Sequence, residues 1–285
     1  MTGASSGIGE ACVHDLVRAG CTVFAGVRRS EDGARLQAAL PARLHWLQLD
    51  VTKAEHIAAA AETVERSVGA AGLYGLVNNA GIALGGPLEY LSPDTLRKQL
   101  EVNVVGLHAM TRAMLPLIRR AAGVGGGRIV HVGSISGLIA SPFIGPYSAS
   151  KHAVEALADA LRIELAPDRI HVAVIEPGQV RTPIWDKGLA TSATFLDRLP
   201  PEGRERYGAR LAVFRWILER APHHAIPPER VAEAIRHALL SPEPRTRYVL
   251  GRDARVRLLL ARLLPDRLLD VLVLGMMSRL ERRVR

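Results

Sequence analysis

The sequence predicts an α/β domain built on a doubly wound parallel sheet. Short runs of β-branched and aliphatic residues alternate with longer helical patterns, as in a sheet covered by helices on both faces. A glycine-rich turn, Thr2-Gly3-Ala4-Ser5-Ser6-Gly7-Ile8-Gly9, opens the first helical pattern, the arrangement that seats a pyrophosphate at a helix N-terminus. With 285 residues, 48% of them hydrophobic and 23% charged, the chain has the size and composition of one such domain plus an appendage.

The turn leads into a helix over residues 7–19. Only Met1 precedes it, where this architecture requires a central strand buried on both faces. The expectation is a start codon assigned inside a longer reading frame; the rival is a sheet repaired or partly open at that place. Six strands are predicted: CTVFAGV (21–27), RLHWLQL (43–49), LYGLVN (73–78), RIVHVG (128–133), IHVAVI (170–175) and RYVLG (247–251). Further helices are predicted over 31–40, 53–69, 93–121, 148–165 and 228–240. Ser92-Pro93-Asp94 is a helix start of cap, first-turn proline and early acid, and Pro116 should bend the helix it begins. No strand interrupts residues 184–226, where GARLAVFRWILER carries an apolar face with Phe214 and Trp216. That segment is either a cover over a substrate or an ordinary packing helix. The catalytic domain is expected to end at residue 251, followed by a basic, leucine-rich helical extension over 252–285.

Composition excludes several classes. Cys12 and Cys21 have no His or Cys at metal-ligand spacing, so buried thiols are expected, with no metal site. No signal peptide is legible, and the thiols suit a reducing cytoplasm. The formal charge of +9 comes from 33 Arg and 4 Lys, a bias of the kind a GC-rich genome produces. Aromatics are 4%, and no basic-aromatic face for nucleic acid is visible. The extension holds nine Arg against four acids, which suits a partner subunit, a substrate pocket or an anionic membrane surface. Its longest uncharged run, Val271 to Ser278, is far short of the roughly 20 residues that span a bilayer, so membrane contact is expected to be peripheral at most.

Chemistry gathers at the carboxyl ends of the strands. Asn78-Asn79-Ala80-Gly81 closes one strand where open α/β sheets place their ligands. In YSASK, Tyr147 and Lys151 stand at i and i+4, on one face of a helix start. A free tyrosine titrates near ~10, too high for efficient proton exchange at neutral pH. A neighbouring ammonium favours the phenolate, and a drop of about two units corresponds to ~2.7 kcal/mol. Ser134 ends another strand and could donate to the same substrate oxygen, with Ser136 as its rival.

These stretches, with Asn103 in NVVG and PGQVRT at 177–182, make the chain resemble a short-chain dehydrogenase/reductase from Thr2 to about Gly251. The resemblance implies a Rossmann-like sheet, normally of seven strands, and reversible hydride transfer between a nicotinamide and an alcohol or carbonyl compound. It assigns Tyr147 as general acid/base, Ser134 to orient the substrate oxygen, Lys151 to lower the tyrosine pKa and bond the nicotinamide ribose, and Asn103 to hold a relay water. Cofactor contacts are carried over to Gly3, Ser5, Ser6, Gly7, Ile8 and Gly9 in the turn, and to Asn79, Ala80 and Gly81. Asp50 and Val51 would meet the adenine, while Pro177, Gly178, Val180 and Thr182 would meet the nicotinamide end.

The strand at 21–27, second once the central strand is counted, reads Val27 where a ribose-binding acid would stand and Arg28 just after it, which favours NADP(H), with NAD(H) as the lesser partner. A solvated Arg28-Arg29 pair is the plain alternative. His131 and His223-His224 are read as structural. VFAGVRR, GSISG and the apolar extension lean toward the hydroxysteroid and retinol dehydrogenase branch, with a hydrophobic alcohol, ketone or aldehyde as substrate and a dimer or tetramer as the assembly. The alternatives are a catalytically silent dinucleotide sensor, which would usually lack Ser134, Tyr147 or Lys151, and a nucleotide-sugar epimerase, against which the NNAG stretch and the short C-terminal portion argue.

Overall fold

The computed structural model describes residues 1–123, 125–183 and 199–284, leaving out the side chains of residues 221–224. Residues 184–198 of the expected substrate cover and the side chains of His223 and His224 therefore lie outside the described residues. All six predicted strands form: β1 (Val23–Val27), β2 (Leu44–Gln48), β3 (Gly75–Asn78), β4 (Arg128–Val132), β5 (His171–Pro177) and β6 (Arg247–Leu250). Every pairing is parallel, in the order β1-β2 and β3-β4-β5-β6.

Between β1 and β3 lies the place of the central strand, and residues 1–4 bridge it. On one side the Met1 amine donates to Phe24 O at 2.7 Å, Gly26 N to Met1 O at 2.8 Å and Ala4 N to Gly26 O at 3.0 Å; on the other, Thr2 N donates to Val77 O at 3.0 Å. The carboxyl end of this slot, which positions the glycine turn, is thus hydrogen-bonded on both sides.

Helices cover both faces because the strands alternate apolar side chains between two cores. Val77, Val130, Ala173 and Ile175 face one core with α1 (Gly7–Arg18), α2 (Ser30–Ala39) and the helix we number α8 (Pro228–Leu240). Leu76, Ile129, Val172 and Val174 face the other with α3 (Ala54–Val68), α5 (Gly106–Ala122) and α6 (Gly145–Glu164). Ile175 and Ile129 are fully buried, and each contributes about 1.5–3 kcal/mol by leaving water.

One predicted helix is divided. Instead of one helix over 93–121, α4 (Pro93–Leu100) passes through a π turn (Glu101–Val105) into α5. Ser92 caps α4 as expected, accepting from Thr95 N at 3.3 Å. Pro116 stays inside α5, so the departure from α geometry lies upstream, where Asn103 turns toward the loop at Ile82. At Gly106 a Cβ would stand 2.7 Å from Val51 O, so the helix passes too close to that loop for a side chain.

GARLAVFRWILER lies within α7 (Pro201–His224). The C-terminal extension forms α9 (Arg252–Leu263) and α10 (Asp266–Val284), and α10 packs on α7 with Met277 buried. Arg257 donates to Ser141 Oγ at 2.7 Å. Much of the apolar side of these two helices stays outside: Leu263 is 69% exposed and Val271 63%. Among the described residues no helix is long and apolar enough to cross a membrane.

Candidate active site

The glycine turn takes its shape from contacts no side chain could share. Gly3 has φ +66°, and a Cβ there would stand 2.8 Å from Ala80 Cα; at Gly9 a Cβ would run into Gly3 O. Gly7, also at positive φ, would meet Thr182 Cγ2 at 2.9 Å, so the turn and the PGQVRT stretch touch. Ser6 is the N-cap of α1 but makes no capping bond through its side chain. Its exposed position leaves the helix N-terminus open to an anion. Ser5 presents its carbonyl to Arg35 at 2.9 Å, and Ile8 is half-buried against the first core.

Thr2 and Asn79 lock this turn to the end of β3. The buried Thr2 hydroxyl accepts from Asn79 N at 3.0 Å and Ala80 N at 2.9 Å, while Asn79 Nδ2 donates to Thr2 O at 3.1 Å and Gly3 O at 2.9 Å. Thr2 was legible as part of the turn but not as its anchor. Beyond β2, Asp50 Oδ1 accepts from Thr52 N at 3.0 Å and Thr52 Oγ1 at 2.8 Å. Burial opposes its ionisation, but the Thr52 donors, with Arg28 and Lys53 nearby, bring its pKa below the ordinary value. Val51 is buried beside it.

The arginines after β1 have different employment. Arg29 pairs with Asp32 at 2.9 Å, and Arg35 reaches Glu10 and the Ser5 carbonyl. Arg28 is exposed at the end of β1, with no hydrogen bond or ion pair to any described residue. The two arginines that looked like one solvated pair are therefore unlike.

Tyr147 and Lys151 lie on the first turns of α6, with Lys151 Nζ 5.7 Å from the centre of the tyrosine ring. Lys151 is buried and donates to Val132 O at 2.7 Å; burial lowers its pKa to about 8, and Glu155 acts in the opposite direction. Ser134 lies close enough to Tyr147 to favour its phenolate, and its hydroxyl accepts from Ser136 N at 3.1 Å. Of the two rival serines, Ser134 meets the tyrosine. Burial raises the Tyr147 pKa above its ordinary value and Ser134 only partly offsets it; Lys151, which donates to Val132 O, takes no part in the shift.

Asn103 sits in the π turn with its side chain committed: Oδ1 accepts from Ile82 N at 2.9 Å, and Nδ2 donates to Ile82 O at 3.0 Å and Ser150 Oγ at 3.0 Å. Gln99 clamps the same loop, accepting from Leu84 N at 2.7 Å and donating to Ile82 O at 2.8 Å. Ser150 Oγ in turn donates to Tyr147 O at 2.7 Å. Gln99 and Ser150 escaped the sequence reading because their partners are remote in sequence. His131 is buried and neutral, its pKa lowered to about 4 by burial and then by Lys151, with Asn78 Nδ2 3.2 Å from its Nδ1. At the far wall, Gly178 N donates to Leu250 O at 2.8 Å, and Val180 forms a parallel bridge with Ile226. Gly178 has no room for a Cβ beside the Asp253 carboxylate. Pro177 ends β5 and Thr182 lies against the glycine turn.

A family model described as short chain dehydrogenase matches residues 1–192. The chain is 35% identical to an NADPH-dependent 3-dehydrocapnine reductase of Ornithobacterium rhinotracheale, over 95% of this chain and 93% of that protein. It is 36% identical to mouse (Mus musculus) retinol dehydrogenase 5, over 98% of this chain and 88% of the relative. Among solved structures, a short-chain dehydrogenase from Streptomyces avermitilis superposes with a TM-score of 0.75 at 31% identity, covering 100% of this chain and 97% of that one.

Proposed function

The chain belongs to the short-chain dehydrogenase family, in the branch of the retinol and hydroxysteroid dehydrogenases, and from that premise we propose an NADP(H)-dependent oxidoreductase of hydrophobic alcohols and carbonyl compounds. Alcohol dehydrogenase activity and the Rossmann-like fold are shared with its relatives. The observation that carries the reading is the convergence of Ser134, Tyr147 and Lys151 beside a glycine cradle that a Cβ would fill.

That cradle and the open N-terminus of α1 fit a dinucleotide pyrophosphate, which Gly3, Ser5, Ser6, Gly7, Ile8 and Gly9 would hold. The nicotinamide supplies the hydride when bound. This chain's residues do the rest. Ser134 orients the substrate oxygen and Tyr147 gives or takes its proton. Lys151 brings a positive charge near the phenol and reaches the ribose. Because both Nδ2 hydrogens of Asn103 and its Oδ1 are engaged by Ile82 and Ser150, a relay water near it would meet the main chain of the π turn. Asn79, Ala80, Gly81, Pro177, Gly178, Val180 and Thr182 shape the walls.

The unpartnered Arg28 supports NADP(H), since its guanidinium suits a 2′-phosphate and Val27 presents no acid to repel one. The named cofactor of the 3-dehydrocapnine reductase agrees. A silent sensor remains the second reading, but the intact triad favours catalysis. We place the protein in a reducing cytoplasm, where Cys12 and Cys21 stay free thiols. Homo-oligomers are common in the family. The exposed apolar side of α9 and α10, with its arginines, supports a partner subunit or a peripheral anionic membrane contact. Steroids, retinoids, fatty aldehydes and small ketones, tested with both cofactors by nicotinamide absorbance, decide the reading. Turnover confined to the large hydrophobic members supports it, and turnover confined to small ketones refutes the substrate class.

A further inference from the structure

One turn beyond Lys151 on α6, Glu155 is buried against β5, where Glu176 is fully buried. A single guanidinium serves both. Arg247 Nε lies 3.2 Å from Glu155 Oε2 and 3.1 Å from Glu176 Oε1, while its Nη2 reaches the more exposed Asp159 at 2.8 Å. Glu155 Oε1 and both oxygens of Glu176 are buried without a hydrogen-bond partner among the described residues. Two ionised carboxylates sharing one N–H would leave these oxygens unsatisfied and an uncompensated negative charge in the core, a costly state. A proton on one carboxyl supplies the missing donor and removes that charge. Burial and the neighbouring carboxylate act in the same direction, raising Glu176 to about 7, and burial raises Glu155 as well.

The pair stands directly behind the catalytic groups. A Cβ on Gly133, the residue before Ser134, would lie 3.0 Å from Glu155 Oε1, and one on Gly137 would lie 3.3 Å from Glu155 Cγ. Val132, which precedes Gly133, accepts the Lys151 ammonium. Glu176 immediately precedes Pro177, at the start of the nicotinamide wall. The charged groups acting on the pair are Arg247 from β6 and Asp159 from α6, and Glu155 itself acts on Lys151.

We propose that Glu155 and Glu176 share one proton at neutral pH and that this pair is a positioning element, holding the charge of Lys151 and the loop that carries Ser134. As the proton leaves with rising pH, the pair becomes more negative and favours the Lys151 ammonium. Its effect on Lys151 rests on the catalytic reading above, whereas the shared proton itself is observable without turnover.

The test is the infrared carbonyl stretch of a protonated carboxylic acid in the ligand-free full chain, followed from about pH 5 to about pH 9, where exposed carboxyls are ionised over nearly the whole range. The expected result is a band that survives at neutral pH, fades on further titration and is missing from Glu176→Gln, whose amide replaces the proton donor. Absence of the band in the wild-type protein at neutral pH overturns the proposal, as does its persistence in Glu176→Gln; should that variant not fold, the wild-type titration alone decides. A second readout is the pH profile of kcat/KM. Glu155→Gln is expected to move the alkaline limb down by about one pH unit, while Asp159→Asn, on the same guanidinium, moves it much less. Equal shifts in the two variants contradict a specific role for the buried pair. An enzyme inactive on every substrate would overturn the catalytic reading and leave the infrared result standing.

Discussion

Lys151 Nζ stands 5.7 Å from the centre of the Tyr147 ring and is held there by the Val132 carbonyl rather than by the phenol. The two side chains share a face of α6, as their i,i+4 spacing requires, yet each is desolvated in a way that disfavours its charged form. Lys151→Met is therefore expected to weaken cofactor binding and to slow turnover together. Loss of turnover with unaltered NADPH affinity would show that the ammonium does not reach the ribose.

Arg28 is exposed and unpartnered while Arg29 is engaged by Asp32. Arg28→Ala should lower the NADP(H)/NAD(H) ratio of kcat/KM by about ten- to a hundredfold, the worth of a charge-assisted hydrogen bond. Arg29→Ala should alter that ratio little, so steady-state kinetics of the pair separates phosphate recognition from general charge.

Thr2 supplies one oxygen to two backbone donors at the seam between the turn and β3. Thr2→Val keeps the shape and removes the acceptor, leaving buried N–H groups unpaired. We expect a loss of about 1–3 kcal/mol in denaturant unfolding, with weaker cofactor binding. Thr2→Ser, which retains the oxygen, should recover most of both.

Glu176 has a folded-state pKa raised from 4.5 to about 7. A raised pKa means that the folded chain holds a proton the unfolded chain releases, so this contribution to stability is full below pH 4.5 and lost as pH rises through about 7. Glu176→Gln cannot ionise. Its melting temperature should fall less than that of the wild-type protein across this window.

The strands were legible because buried parallel strands write themselves as aliphatic runs, and all six appear where RIVHVG, IHVAVI and their counterparts predict them. The π turn at Glu101–Val105 was not. A π turn keeps the helical period on either side and only shifts its phase, a signal too short to see over five residues, and Pro116 drew attention to a later place. The i,i+4 spacing singled out Tyr147 and Lys151, and the family resemblance gave them and Ser134 their roles, but the ionisation of Tyr147 and Lys151 was not legible, because burial is a property of the assembled fold. Gln99 acts on the loop at Ile82 and Leu84, and Ser150 on Asn103, partners remote in the chain. Glu176 did leave a signal: in IHVAVIEPG it is an acid at the end of an apolar strand, and only its pairing with Glu155 and Arg247 gives that acid a meaning.

The proposed function turns on the Tyr147 hydroxyl carrying the proton that accompanies hydride transfer. Its most direct test compares wild type with Tyr147→Phe on the best hydrophobic substrate, measuring kcat/KM by nicotinamide absorbance and NADPH affinity by fluorescence titration. We expect NADPH affinity nearly intact and kcat/KM reduced by about 10²–10⁴-fold, the contribution of a positioned general acid/base. Turnover preserved in Tyr147→Phe, with the cofactor bound equally well, would contradict it.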